Sequence, residues 1–110
     1  MKKPRTYSPQ AMEAARLLGE SIRLARLEKR WTVEEVAERV GINHVTMRKV
    51  ERGDMTVGLG PAFEAAAIVG VPLFHADAGR RQLAARDIES RLALLPKYAR
   101  RPIKEISNDF

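Results

Sequence analysis

The segment GINHVTMRKVERG, residues 41–53, concentrates the side chains of this sequence that are best suited to binding a polyanion. Arg48, Lys49 and Arg52 lie close together there, and Glu51 is the segment's single acid. Guanidinium and ammonium groups donate hydrogen bonds to phosphate oxygens and to the acceptors on nucleobase edges. The segment therefore predicts a surface that binds phosphate and bases, provided that the fold leaves its cations exposed.

Catalytic and metal-binding chemistry is not predicted. The sequence has no cysteine, and its two histidines, His44 and His75, lie far apart without a third partner for a metal. Glu34 and Glu35 are adjacent acids, but acids in the first turn of a helix usually serve the cap and the helix dipole. We therefore expect no enzymatic activity, no cofactor and no small-molecule substrate.

The size and charge of the chain narrow the class of partner. Its 110 residues supply apolar material for one compact core, and 20 Lys and Arg against 14 Asp and Glu give a formal net charge of +6. This charge favours nucleic acid or an acidic membrane surface without choosing between them. Because no apolar run could cross a bilayer and Lys2-Lys3 leads into a polar segment, we expect a cytoplasmic protein without a membrane partner.

The elements that must position segment 41–53 are predicted to be helices. Apolar residues recur at spacings of three and four, whereas alternation typical of strands never persists. The class is therefore all-α. Five helices are expected: Pro9 to about Lys29, Val33–Val40, His44 to about Arg52, Pro61–Val69, and one capped by Asp77 that runs to Leu95.

Residues 33–52 have the pattern of a helix-turn-helix. Thr32 and Glu35 form a capping box at the start of the first of these two helices. Gly41 ends that helix because glycine enters the left-handed region without strain, and Asn43 caps the next. The small side chain of Ala37 lets these two helices cross at close distance. The side chains predicted to face inward are Val36, Val40, Met47 and Val50.

LGESIRLARLEKRWTVEEVAERVGINHVTMRKVERG, followed by GVPLF, resembles the Cro/C1-type helix-turn-helix family, also called XRE, over about residues 17–74. The resemblance implies a five-helix, lambda-repressor-like bundle whose third helix enters the major groove of DNA. It also implies a homodimer that binds a palindromic operator as a regulator or autorepressor.

The resemblance assigns base-edge contacts to the start and middle of helix 44–52, and phosphate contacts to its remaining polar residues. Many family members have a glutamine that clamps a phosphate where this chain has Val33, so that anchor is absent or is supplied by Thr32 and the helix N-terminus. The implied base-contacting residues are His44, Val45, Arg48 and Lys49. The implied DNA-binding set also contains Thr32, Val33, Asn43, Thr46 and Arg52.

Arg26 and Glu51 correspond to an ion pair of the family, between the first helix and the end of the third. If the pair is half-buried and bidentate, we expect it to fix the tilt of the third helix more than it adds to net stability, because desolvation offsets much of the attraction.

The sequence says least about the role of the C-terminal part of the chain. We expect an N-terminal tail at 1–8, the DNA-binding domain at 9–76, a C-terminal helix at 77–95 and a flexible tail at 96–110. One side of that helix is apolar and must cover its own bundle, a second subunit or another partner, of which we favour the second subunit. Its apolar residues are Ala84, Ile88, Leu92 and Leu95.

A narrower resemblance gives an alternative function. The end of the chain, LALLPKYARRPIKEISNDF, is similar to HipB-like antitoxins, which bind DNA, autoregulate their operons and neutralise HipA-like kinase toxins. In this alternative, helix 77–95 and the tail hold the toxin. A third reading is an RNA- or protein-binding adaptor that uses the same fold.

Overall fold

The computed structural model describes residues 6–99 and 101. Within this part the chain forms five helices and no strand, so the predicted all-α class is confirmed. The tails proposed at 1–8 and 96–110 lie mostly outside the described residues. The helices are α1 (Pro9–Glu28), α2 (Val33–Val40), α3 (His44–Glu51), α4 (Leu59–Val69) and α5 (Ala78–Ala93).

The chain divides into two units, with the boundary between Leu73 and Phe74. The first unit contains α1 to α4, and the second contains α5. The sequence predicts that the DNA-binding domain ends at residue 76. None of the described helices has the length and apolar character that crossing a bilayer requires.

The beginnings of the helices follow from local side-chain chemistry. The Ser8 hydroxyl accepts a hydrogen bond from the Ala11 amide at 3.1 Å, and Pro9 occupies the first position of α1. At α2, the Thr32 hydroxyl accepts from the Glu35 amide at 3.0 Å, while the Glu35 carboxylate accepts from the Thr32 amide at 2.7 Å. Each cap satisfies a backbone donor that has no partner inside its helix.

Two helix boundaries differ from the prediction. Helix α4 begins at Leu59, with Gly58 as its cap, two residues before the predicted start at Pro61. Since the first amides of a helix have no acceptor within it, Pro61 fits in the first turn without breaking a hydrogen bond. Helix α5 ends at Ala93 rather than Leu95, and Leu94 forms its C-cap.

The core of the first unit lies where α2 packs against α3 and α4, and where α1 covers α3 and α4. Val40, which was predicted to face inward, is only half-buried. The other residues of α2 and α3 that were predicted to face inward are buried. The buried apolar residues are Ile22, Val36, Ala37, Met47, Val50, Ala65, Ala66 and Val69.

Gly19 sets the distance between α1 and α3. A Cβ atom added at this position would lie 2.6 Å from the carbonyl oxygens of both Val50 and Glu51. The absence of a side chain therefore lets the backbone of α1 approach the end of α3, and this approach fixes the position of the helix that carries the cations.

Candidate nucleic-acid interface

Helix α3 has one side anchored in the bundle and one side open to solvent. Met47 and Val50 are buried, as is Glu51 at the end of the helix. On the other side, Val45 is 52% exposed. Its exposed companions along the segment are Asn43, His44, Arg48 and Arg52. The cationic side of α3 is therefore not covered by the neighbouring helices of its unit.

Three residues of the predicted DNA-binding set are less accessible. Thr46 and Lys49 are half-buried, so only part of each side chain reaches the surface. Val33 is half-buried and packs against the core. Its side chain cannot replace the phosphate-clamping glutamine of the family that the sequence resembles, which leaves the α2 N-terminus to supply any anchor there.

The turn between α2 and α3 holds the two helices at a fixed angle. Gly41 has a φ of 87°, in the left-handed region, and the amides of Gly41 and Ile42 donate to the Ala37 carbonyl at 2.8 and 3.0 Å. The Asn43 side chain then accepts from the Thr46 amide at 2.8 Å. The turn is thus closed by hydrogen bonds immediately before the first exposed residue of α3.

Arg26 and Glu51 form a bidentate ion pair between α1 and α3. Arg26 Nε donates to Glu51 Oε2 at 2.7 Å, and Nη2 donates to Oε1 at 3.1 Å. The side chains are only 9% and 7% exposed, and Arg26 Nη1 also donates to the Trp31 carbonyl at 2.8 Å. One guanidinium therefore joins α1, the turn after it and the end of α3.

A second ion pair, which the sequence analysis missed, joins α2 to the exposed side of α3. Arg48 Nη2 donates to Glu34 Oε2 at 3.1 Å. A hydrogen bond from its own backbone amide, together with the charges of Arg48 and His44, holds the pKa of the Glu34 carboxyl below its ordinary value. The partners are 14 residues apart, so only the packing of α2 on α3 reveals the contact.

Further charged groups, among them Asp54, Arg23 and Glu20, border the cationic side of α3. Asp54 accepts from the Thr56 hydroxyl at 2.6 Å and from its amide at 2.8 Å, and these bonds hold the Asp54 pKa below its ordinary value. Arg23 of α1 lines a recess of about 380 Å³ together with Val33, Arg48 and other residues of α1 and α3. Neither Asp54 nor Arg23 has a sequence pattern that singles it out.

The second unit presents apolar side chains. No residue of α5 is buried. Among the side chains predicted to cover a partner, Ala84 is half-buried and the other three, Ile88, Leu92 and Leu95, are exposed. In the part of the chain that the structure describes, no group of three or more His, Asp or Glu side chains could hold a metal ion.

A family model described as helix-turn-helix matches residues 22–74, which include the last third of α1 and all of α2, α3 and α4. Residues 22–74 belong to the Cro/C1-type helix-turn-helix family. The domain is accordingly that of a DNA-binding regulator. No curated protein and no solved structure matches the chain. The narrower similarity to HipB-like antitoxins therefore stays a prediction.

Proposed function

We propose that the protein is a sequence-specific transcriptional regulator that acts as a dimeric repressor, and that it binds a palindromic operator through residues 44–52. One observation carries the proposal: α3 is anchored by its buried side and presents its cations to solvent on the other. A rigid helix with an accessible cationic side is the element that reads bases in the major groove.

The proposed base contacts come from four residues of α3. Arg48 and Lys49 donate to guanine O6 and N7, and His44 donates to or accepts from a base edge. Val45 is an exposed apolar residue at the start of the helix, where it contacts a thymine methyl group.

The proposed phosphate contacts surround these base contacts. Thr46 and Arg52 bind phosphate from α3, and Asn43 does so from the turn through the side-chain amide group that its cap leaves free. At the α2 N-terminus, the Thr32 hydroxyl and the amide of Val33 contact a phosphate, helped by the helix dipole. These contacts set the register of α3 on the duplex without reading sequence.

Dimerisation is assigned to α5. Its exposed apolar residues favour burial against a second copy of the chain, and two-fold symmetry would match a palindromic site. In such a dimer we expect the two α3 helices to lie about 34 Å apart and to contact half-sites one helical turn apart.

Selection of bound duplexes from a random pool tests this function. We expect recovery of a palindrome whose half-sites are one turn apart, and weaker binding by Arg48→Ala. Arg86→Ala, an exposed arginine of α5, is the matched control and should bind like the wild type. Recovery of no consensus at fixed salt would contradict sequence-specific binding, and preference for RNA would favour the adaptor function.

An antitoxin function is the second candidate, favoured by the strong exposure of Leu94 and Tyr98 beyond the end of α5. In this case α5 and the following residues bind a HipA-like kinase toxin, while α3 autoregulates the operon. Coexpression with a kinase encoded beside the gene tests it. A stable complex that disappears in a variant truncated before Asp77 would support the antitoxin function, and a lack of copurification would contradict it.

A further inference from the structure

The ion pair between Glu34 and Arg48 joins the two helices of the helix-turn-helix on its exposed side. Their side chains are 61% and 48% exposed, so water screens the attraction and the pair adds little to the stability of the fold. From the first turn of α2, Glu34 also favours the helix dipole, but that role needs no partner on α3. The pairing itself therefore points to what Arg48 does on this surface.

Glu34 places a negative charge where a polyanion is expected to bind. It is the second residue of α2, and it pairs with Arg48 on the exposed side of α3. A carboxylate in this position repels backbone phosphates and lowers affinity for DNA of any sequence. Unless it improves discrimination, the acid works against binding.

We propose that Glu34 is a specificity-determining residue, which holds the guanidinium of Arg48 on the recognition surface and competes with phosphates for it. This inference rests on the proposed function. The pair uses Nη2 of Arg48, and the guanidinium has further N–H donors for a guanine edge. Arg48 can therefore contact a base while it keeps Glu34, whereas a phosphate contact in non-operator DNA must displace the carboxylate.

Glu34 thus lowers affinity for non-operator DNA more than it lowers affinity for the operator. Without its carboxylate, Arg48 is free to follow any nearby phosphate, and the surface gains one unit of positive charge. Affinity for scrambled DNA should rise more than affinity for the selected operator, and the ratio of the two affinities should fall.

The test is a double-mutant cycle on the full chain, with dissociation constants measured at one salt concentration for a selected and a scrambled duplex. The proteins are the wild type, Glu34→Gln, Arg48→Ala and the double variant. We expect Glu34→Gln to lower the affinity ratio about fivefold, the lower end of what one base contact contributes. In the Arg48→Ala background the same substitution should leave the ratio unchanged, because Glu34 acts through Arg48.

Glu64→Gln is the matched control, since it removes the same charge from an exposed position of α4. It should leave the ratio at the wild-type value. If Glu34→Gln changes both affinities by the same factor, or lowers the ratio equally with and without Arg48, the inference is overturned while the proposed function stands. If the wild type itself does not discriminate between duplexes, the proposed function is wrong and this inference falls with it.

Discussion

Lys49 and Arg48 are adjacent residues of α3 in different surroundings: Arg48 is exposed and paired with Glu34, while Lys49 is half-buried. Its partial burial restricts the Lys49 side chain to fewer positions. A cation that is held in place can discriminate between base edges, whereas a mobile one follows phosphates. The proposed base contact by Lys49 thus has a physical basis in its partial burial.

Lys49→Ala should cost about 1–3 kcal/mol of binding free energy on the selected operator and relax discrimination at one base position. Titrations with the operator and with duplexes substituted at each position check this. Equal losses on operator and scrambled DNA would instead assign Lys49 to a phosphate.

Glu51 forms a buried ion pair with Arg26, unlike the exposed pair of Glu34 and Arg48. Glu51→Ala leaves the guanidinium without its carboxylate in a site that water barely reaches. We expect a loss of about 3–5 kcal/mol in the free energy of unfolding, measured by urea denaturation.

The exposed pair of Asp87 and Arg91 in α5 supplies the control for this experiment, with 3.2 Å between its charged atoms. Asp87→Ala should cost no more than about 1 kcal/mol, since exposed pairs are screened by water. If both substitutions lower the free energy of unfolding equally, the buried pair of Arg26 and Glu51 stabilises the fold no more than an exposed pair does.

At the scale of the elements, the crossing of α1 and α3 depends on one missing side chain. Gly19→Ala would bring a Cβ atom to 2.6 Å from two backbone oxygens at the end of α3, and backbone cannot move aside as a flexible side chain can. We expect marked destabilisation and a loss of DNA affinity, because α3 must shift. Thermal unfolding and operator titration measure the two effects.

Gly60→Ala is the matched control for Gly19→Ala, since both glycines lie in helices without a positive φ. Apart from the two neighbouring residues, nothing lies within 4 Å of a Cβ added at Gly60. The higher helix propensity of alanine and the crowding of its Cβ by Pro61 oppose each other, so stability should change by no more than about 1 kcal/mol. Equal destabilisation by both substitutions would contradict the close approach of α1 and α3.

These elements also show which features can be predicted from sequence. The caps by Ser8, Thr32 and Asn43 and the turn at Gly41 were predictable because each depends on residues within a few positions of one another. The sequence does not reveal the early start of α4, because Gly58 offers no side-chain cap and a proline favours the first position of a helix.

The missed features of the site share a different cause. The pairing of Glu34 with Arg48 and the role of Gly19 arise where different helices meet, at separations in sequence that no local pattern records. The pairing of Arg26 with Glu51 is also long-range, but it could be expected from the family resemblance. Patterns of neighbouring residues thus predict the helices and their ends. Contacts between helices can be found only from the coordinates or from resemblance to a family.

At the scale of the whole molecule, the net charge of +6 supplies attraction to DNA without sequence preference. Discrimination must therefore come from the base contacts proposed for α3 and, in the proposed dimer, from the spacing of its two copies. The apolar side of α5 is the surface to which we assign that spacing. Leu92 and Leu83 are 62% and 65% exposed, and their separation of nine residues puts them on opposite sides of a helix with about 3.6 residues per turn.

Leu92→Glu should therefore dissociate the proposed dimer, because it places a charge on the apolar side of α5 to which we assign the contact, whereas Leu83→Glu should leave such a dimer intact. Sedimentation equilibrium measures the oligomeric state, and circular dichroism checks that the helices persist in both variants. The monomeric variant should bind a single half-site with unchanged base preference but bind the palindrome much more weakly, since it loses the gain from joining two recognition helices. A Leu92→Glu protein that remains dimeric would exclude this side of α5 as the dimer contact and leave it free for another partner.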